Sequence, residues 1–291
     1  MDVNQIGEHI KDAPDFHVPA LLWDHLPEFL QGEHRGLIPL PDFGTVDLFG
    51  WQIKLQLTKF MVLEVVAALL MLLIFLPLAR KIATGRSPRG RIWNAFELVL
   101  IFLRDEVARP AIGRHDADRF LPFVWTMFFF ILFCNLLGMI PWAGSPTGSI
   151  FVTAALALIT FCTVAGSGMV NYGVVGFWTG MVPRVDLPWV LAAFLKPMLM
   201  GIEIMGLCIK HCVLAVRLLA NMFAGHLVLA VIVTFIAWTT DQAFVLWLGV
   251  TIASVLSAVA LNLLELFVAF LQAYVFTFLS ALFIGMAVHQ H

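Results

Sequence analysis

Residues 187–238, LPWVLAAFLKPMLMGIEIMGLCIKHCVLAVRLLANMFAGHLVLAVIVTFIAW, run for about 50 residues with no polar turn to divide them. As a helix rising ~1.5 Å per residue this stretch would be ~75 Å long, more than twice the ~30 Å hydrocarbon core of a bilayer. Two readings satisfy that length: one long, tilted helix, or two shorter ones joined by a weak re-entrant turn. Gly201, Gly206 and Gly225 have no Pro, Asn or Asp beside them, which makes them poor turn signals and favours the long helix. From Ala243 to Val288 the pattern repeats, after the short break TTDQ.

Upstream, three apolar stretches have the length of a single crossing: Phe60 to Leu78, Phe120 to Ile140 and Ile150 to Val170. The first ends in the basic run Arg80, Lys81, Arg86, Arg89 and Arg91. The positive-inside rule places that run in the cytoplasm, so the N-terminus lies outside and, after five crossings, the C-terminus inside. Residues 92–112 mix apolar side chains with Glu97, Arg104, Asp105, Glu106 and Arg109, the composition of a helix lying along the membrane surface. AGSPTGS after Pro141 and Trp142 reads as a short external hairpin, and a Gly-rich loop with Arg184, Asp186 and Pro188 follows the third span. Trp142, Trp178, Trp189 and Trp238 fall near span ends, as interfacial anchors do. The expected fold is all-α: a polytopic membrane protein with about five transmembrane helices, the last two long and tilted, plus an amphipathic helix on the cytoplasmic surface. Residues 1–55, mixed polar with Pro14, Pro19, Pro27, Pro39 and Pro41, form an irregular extramembrane segment ahead of a membrane domain spanning 56–291.

Composition agrees. Of 291 residues 61% are hydrophobic and 12% charged, with a mean hydropathy of +0.93, which excludes a water-soluble domain and implies a lipid bilayer as solvent. The net charge of −2 gives no basic excess, and no nucleic-acid partner is expected. Cys134, Cys162, Cys208 and Cys212 all fall inside apolar stretches and read as buried thiols without a disulfide framework. The first twenty residues contain no apolar core of signal-peptide length, so no cleavable signal is expected.

Charged and amide side chains inside the two long stretches need a reason to be there, because an Arg at the bilayer centre costs at least ~2.5–3.5 kcal/mol. Glu203, Lys210 and Arg217 are spaced by sevens, so they drift by only about 20° per step and share one stripe with Asn221. His226 falls nine residues past Arg217, roughly on the opposite face. One face therefore carries a guanidinium that never titrates, the other an imidazole that exchanges protons near neutrality. On the last stretch Glu265 and Gln272 align, with Asn262 one turn below Glu265. A carboxylate, an amide and an imidazole of this kind can line a water-filled half-channel, and Glu265 is expected to face His226. Cys208, His211 and Cys212 have ligand-like spacing but no fourth ligand; they read as packing, with no metal and no cofactor expected. Glu203 serves equally as a structural partner of Lys210 or as a proton relay, and Lys210 snorkels toward the cytoplasm.

RLLANMFAGHL (Arg217 to Leu227) resembles the signature of the F-type ATP synthase a-subunit family. LNLLELFVAFLQAYVFTFL (Leu261 to Leu279) resembles its last-helix motif, and CNLLGMIPW (Cys134 to Trp142) the end of an earlier span. The resemblance covers roughly residues 55–288. It implies a non-catalytic, proton-conducting stator of the F0 sector in a bacterial inner membrane. Its implied partners are the rotor ring of c-subunits, the peripheral-stalk b-subunits and the rest of the F1F0 ATP synthase. Arg217 corresponds to the arginine that meets the rotor carboxylate and blocks a leak between two offset half-channels. Asn221, His226, Glu203, Glu265 and Gln272 correspond to polar positions of the inlet-side path. Many bacterial relatives carry Glu at the His226 position and His at the Glu265 position; the reversed pair here is similar to mitochondrial members. His211 stands where many relatives have Pro, and PTGSI lacks an acid that some carry.

Two other classes fit less well. An autonomous secondary transporter or channel predicts an internal repeat or Gly/Pro-broken helices in corresponding halves, and the chain has no such symmetry. An intramembrane enzyme predicts an HExxH motif, a GxSxG elbow or an acid pair at metal spacing, and none is present.

Overall fold

A computed structural model describes residues 15–17, 37–48, 51–83, 90–140, 144–180, 189–239 and 243–289. Arg86, Arg89, Pro141, Trp142, Arg184, Asp186, Pro188 and most of TTDQ lie outside the described residues.

The membrane part is helical. Helix α1 runs Lys59–Ala83 and closes on Arg80 and Lys81 in its last turn, where cations offset the carbonyl end of the helix dipole. Next come α2 (Arg91–Phe102), a π-helical turn (Leu103–Ala108) and α3 (Arg109–Ile112). Helix α4 spans Ala117–Gly138, α5 Ile150–Tyr172 and α6 Val174–Gly180. The two long stretches are each one unbroken helix, α7 (Trp189–Trp238, 50 residues) and α8 (Phe244–Val288, 45 residues). The re-entrant alternative therefore falls away, and α7 continues through Pro197 and His211. Five of these helices, α1, α4, α5, α7 and α8, are long and apolar enough to cross a membrane. In lipid only such internally bonded backbone is stable.

Two expectations need correcting. The segment ahead of α1 is not wholly irregular: β1 (Asp15–His17) pairs antiparallel with β2 (Leu37–Pro39), and β3 (Asp42–Leu48) with β4 (Trp51–Gln56). Local hairpin pairing satisfies backbone groups there without the apolar periodicity on which the sequence reading relied. Of the four thiols only Cys134 is buried; Cys162, Cys208 and Cys212 are exposed on the surfaces of their helices, because an apolar stretch in lipid need not face protein.

The chain gathers into two compact units, with α1, α4, α7 and α8 contributing to both. One contains Met1–Leu76, Phe130–Ser149 and Leu219–Leu271. Here Asn135 of α4, fully buried, donates from Nδ2 to the Ala269 carbonyl of α8 at 3.3 Å. Its Oδ1 accepts from Thr147 Oγ1 at 2.7 Å, and Ser145 Oγ lies 2.9 Å from that hydroxyl. One amide thus ties the turn Pro146–Gly148 to α8 one turn beyond Glu265.

The other unit contains Pro77–Phe129, Ile150–Leu218 and Gln272–His291. The expected surface helix is present as α2, the π turn and α3, and it buries Leu103, Val107, Ala108 and Ile112. It is held to α4 by Trp125 Nε1 donating to the Leu100 carbonyl (3.1 Å) and by a two-pronged Arg104–Asp118 pair at 3.2 and 3.4 Å. Both ends of that pair are exposed, so it is worth at most about 1 kcal/mol. Closer packing comes from missing side chains: a Cβ at Gly285 of α8 would strike the Ala111 carbonyl, and one at Gly168 of α5 the ring of Phe177. Small residues that let backbones approach are the usual adhesive where lipid removes the hydrophobic drive between helices.

Replacing Asn135 by Ala removes both of its bonds and is expected to cost about 1–2 kcal/mol. A denaturing-detergent titration would register this as an earlier midpoint; an unchanged midpoint would mean that the clamp is idle.

Candidate functional site

In the second unit the first two thirds of α7 carry Glu203, Lys210 and Arg217 along one stripe, all three exposed. Among the described residues Arg217 has no ion pair and no hydrogen bond to its guanidinium. The alternative of an arginine neutralised by a carboxylate inside the bundle finds no such carboxylate among the described residues. Glu203 and Lys210, with Leu207 between them, line a cavity of about 600 Å³ whose other walls include Val164, Phe283 and His289. They share that wall without pairing: the described residues include no Glu203–Lys210 salt bridge. Farther along the same stripe Leu214 is buried, 1% exposed, and neither it nor Arg217 lines the cavity.

His211 turns the other way. It is 4% exposed, its Nδ1–H donates to the Leu207 carbonyl at 2.9 Å, and its ring sits between Phe161 (5.3 Å) and Phe283 (5.1 Å). Cys208 and Cys212 are exposed while His211 is buried, so the three do not converge on a common point. Gln272, also in this unit, is 1% exposed.

The first unit assembles a different set. Glu265 of α8 is 4% exposed although it is a carboxylate in an apolar helix. Its side chain lies against Gly225 of α7, where any Cβ would strike Oε1. The next residue is His226, and both His226 Nε2 and Glu265 Oε1 are buried with no hydrogen-bond partner among the described residues. Lys59, at the start of α1 and 1% exposed, lies within electrostatic reach of His226, its ammonium 5.2 Å above the Phe60 ring. Asn221 is half-buried and Asn262 exposed. The sequence-predicted residues thus separate: Glu265 with Gly225 and His226 in one unit, Glu203 with the cavity in the other.

Three side chains of these surroundings escaped sequence reasoning. Lys59 precedes the first apolar residue of its span and reads there as an interfacial lysine. Asn135 stands in the CNLLGM stretch, where nothing local signals a 3.3 Å reach to Ala269. His289 lies at the end of α8, beyond the last periodic residues, and reaches the cavity only through the tertiary fold.

The family model described as ATP synthase A chain matches residues 61–285. An ATP synthase subunit a from Myxococcus xanthus (strain DK1622) is 40% identical over 286 residues, 97% of this chain and 88% of that protein. One from Chloroherpeton thalassium (strain ATCC 35110 / GB-78) is 38% identical over 260 residues, 88% of this chain and 72% of that protein. A longer relative, from Anaeromyxobacter sp. (strain Fw109-5), is 39% identical over 253 residues; the match spans 86% of this chain and 57% of that protein. With the match to the family model extending from α1 to the last turn of α8, the chain belongs to the ATP synthase A chain family.

Proposed function

We propose that the protein is the non-catalytic, proton-conducting stator of the F0 sector, working in a bacterial inner membrane beside a ring of c-subunits and joined by b-subunits to the rest of the F1F0 ATP synthase. The observation that carries this reading is Arg217: an exposed guanidinium on a membrane-crossing helix with no carboxylate to answer it among the described residues. Such a charge in lipid is costly without water or a counter-charge, and a carboxylate brought to it by a partner supplies the latter. A rotor carboxylate arriving at Arg217 is held ionised by the cation, gives up its proton, and leaves when rotation carries it away.

Protons reach that carboxylate through an inlet lined by His226 and Glu265, with Asn221 and Gln272 as further polar stations on α7 and α8. The buried, unpartnered atoms of Glu265 and His226 support this, since polar groups in hydrocarbon are kept for ion paths and are costly otherwise. Glu203, which the resemblance groups with the inlet positions, we assign instead to the outlet; the support is the charged cavity that it lines with Lys210, in the unit that does not contain Glu265 and His226. The basic residues Arg80, Lys81 and Arg91 support an N-terminus outside and a last helix ending in the cytoplasm.

In vesicles bearing the whole synthase, Arg217→Ala is expected to abolish proton-driven ATP synthesis while passive proton leak is kept or raised. Wild-type coupling in that variant would sink the proposal. Gly225→Val, which drives a side chain into the Glu265 carboxyl group, is expected to cut synthesis at least tenfold. Gly206→Val is the control, because its Cβ would meet nothing within 4 Å; equal losses in both would show a general intolerance of α7 to β-branching.

A further inference from the structure

We propose that His289, paired with Asp116, is the proton-release relay at the mouth of the α7 cavity, an inference that rests on reading that cavity as the outlet. The last turn of α8 is a built structure. Tyr172 of α5 donates its hydroxyl to the Val288 carbonyl at 2.8 Å, and the His289 N–H closes a helical bond to Gly285 O at 3.0 Å. Gly285 admits the Ala111 carbonyl where a Cβ would strike it, and the His289 ring lies beside Gly113, at ordinary contact distance from where a Cβ would stand. These contacts fix the imidazole with one side on the cavity and about half of its surface in the open, 54% exposed.

The hydrogen bonds also assign its two nitrogens. Nδ1 lies 3.3 Å from the Gly285 carbonyl, which can only accept, so Nδ1 carries a hydrogen in either charge state. Nε2 is the atom left to take and give a proton, and it lies 3.6 Å from Asp116 Oδ2. The other oxygen of the same carboxylate lies 3.4 Å from Nδ1 of His115, a side chain wholly in the open. One carboxylate thus serves two imidazoles, one on the cavity and one outside it.

The charged groups lining the cavity with His289 are Glu203 and Lys210 from α7; α5 and α8 otherwise contribute apolar wall. At ~30 Å³ per water the space holds on the order of twenty molecules, enough for a continuous aqueous path. A hydrated proton passes its charge to Nε2, leaving water behind; the imidazolium is held by the Asp116 carboxylate, and Nε2 then returns the proton to bulk water. Uptake exchanges one O–H bond of a hydronium for the Nε2–H bond, and release exchanges that N–H bond for an O–H bond of a bulk hydronium. Both transfers use the one ring nitrogen that the Gly285 carbonyl leaves open.

The test uses the complete synthase in proteoliposomes, with ATP synthesis driven by an imposed proton gradient in dilute buffer. His289→Ala and the milder His289→Gln are both expected to slow synthesis about threefold or more, as is Asp116→Asn. A membrane-impermeant zwitterionic buffer titrating near neutrality, added on the F1 side alone, should restore the rate, because a mobile proton carrier replaces a relay but repairs no fold. A full rate in dilute buffer, or a loss that this buffer leaves untouched in both His289 variants, overturns the relay. Arg217→Ala, run alongside, must stay inactive at every buffer concentration; if it does not, the stator reading fails whatever the His289 variants do.

Discussion

A guanidinium can neither give up its charge nor find solvation in hydrocarbon, and this one constraint orders the polar chemistry of the chain. Arg217 sits on an exposed face of α7, and no carboxylate among the described residues pairs with it. Glu265 lies against Gly225, the residue before His226, in one compact unit, and Glu203 lines a cavity in the other, which neither Leu214 nor Arg217 lines.

Holding carboxylates in such places requires a rigid frame, and the frame follows the logic of a solvent that offers no drive for helices to associate. Close approach replaces hydrophobic burial: Gly168 to Phe177 and Gly285 to Ala111 are contacts that a methyl group would forbid, and at Gly225 one would push the Glu265 carboxyl group aside. Buried amide and hydroxyl groups supply direction. Asn135 bonds α8 and the Pro146–Gly148 turn at once, which sets the height of Glu265 one turn away. Each contact is modest, of the order of 1 kcal/mol, and the same side chains that join helices also position the ionisable groups.

Much of this architecture was legible in the chain. Apolar run length alone placed five spans close to the observed Lys59–Ala83, Ala117–Gly138, Ile150–Tyr172, Trp189–Trp238 and Phe244–Val288. Heptad spacing put Glu203, Lys210 and Arg217 on one stripe, because helix geometry turns sequence number into direction. Where a side chain's meaning depends on a distant partner, the sequence is silent. Asn135 gains its role from Ala269, 134 positions away, and His289 from Asp116 and the cavity. Spacing puts Glu203 and His226 on different faces of one helix, but what each face meets is set by the fold. The hairpins ahead of α1 were hidden for another reason: backbone pairing, unlike core packing, leaves little signature in residue type.

The π-helical turn at Leu103–Ala108 has a consequence of its own. With Arg109 N–H bonded back five residues to the Arg104 carbonyl, the surface helix makes one wider loop there and accommodates a residue that an ordinary winding would exclude. That surplus residue rotates everything downstream. It lets Leu103, Val107 and Ala108 all point into the protein and turns Ala111 toward the last helix, as a key is turned by a single tooth. Trimming one residue from this loop would leave the composition almost unchanged while swinging the following segment to face the wrong way.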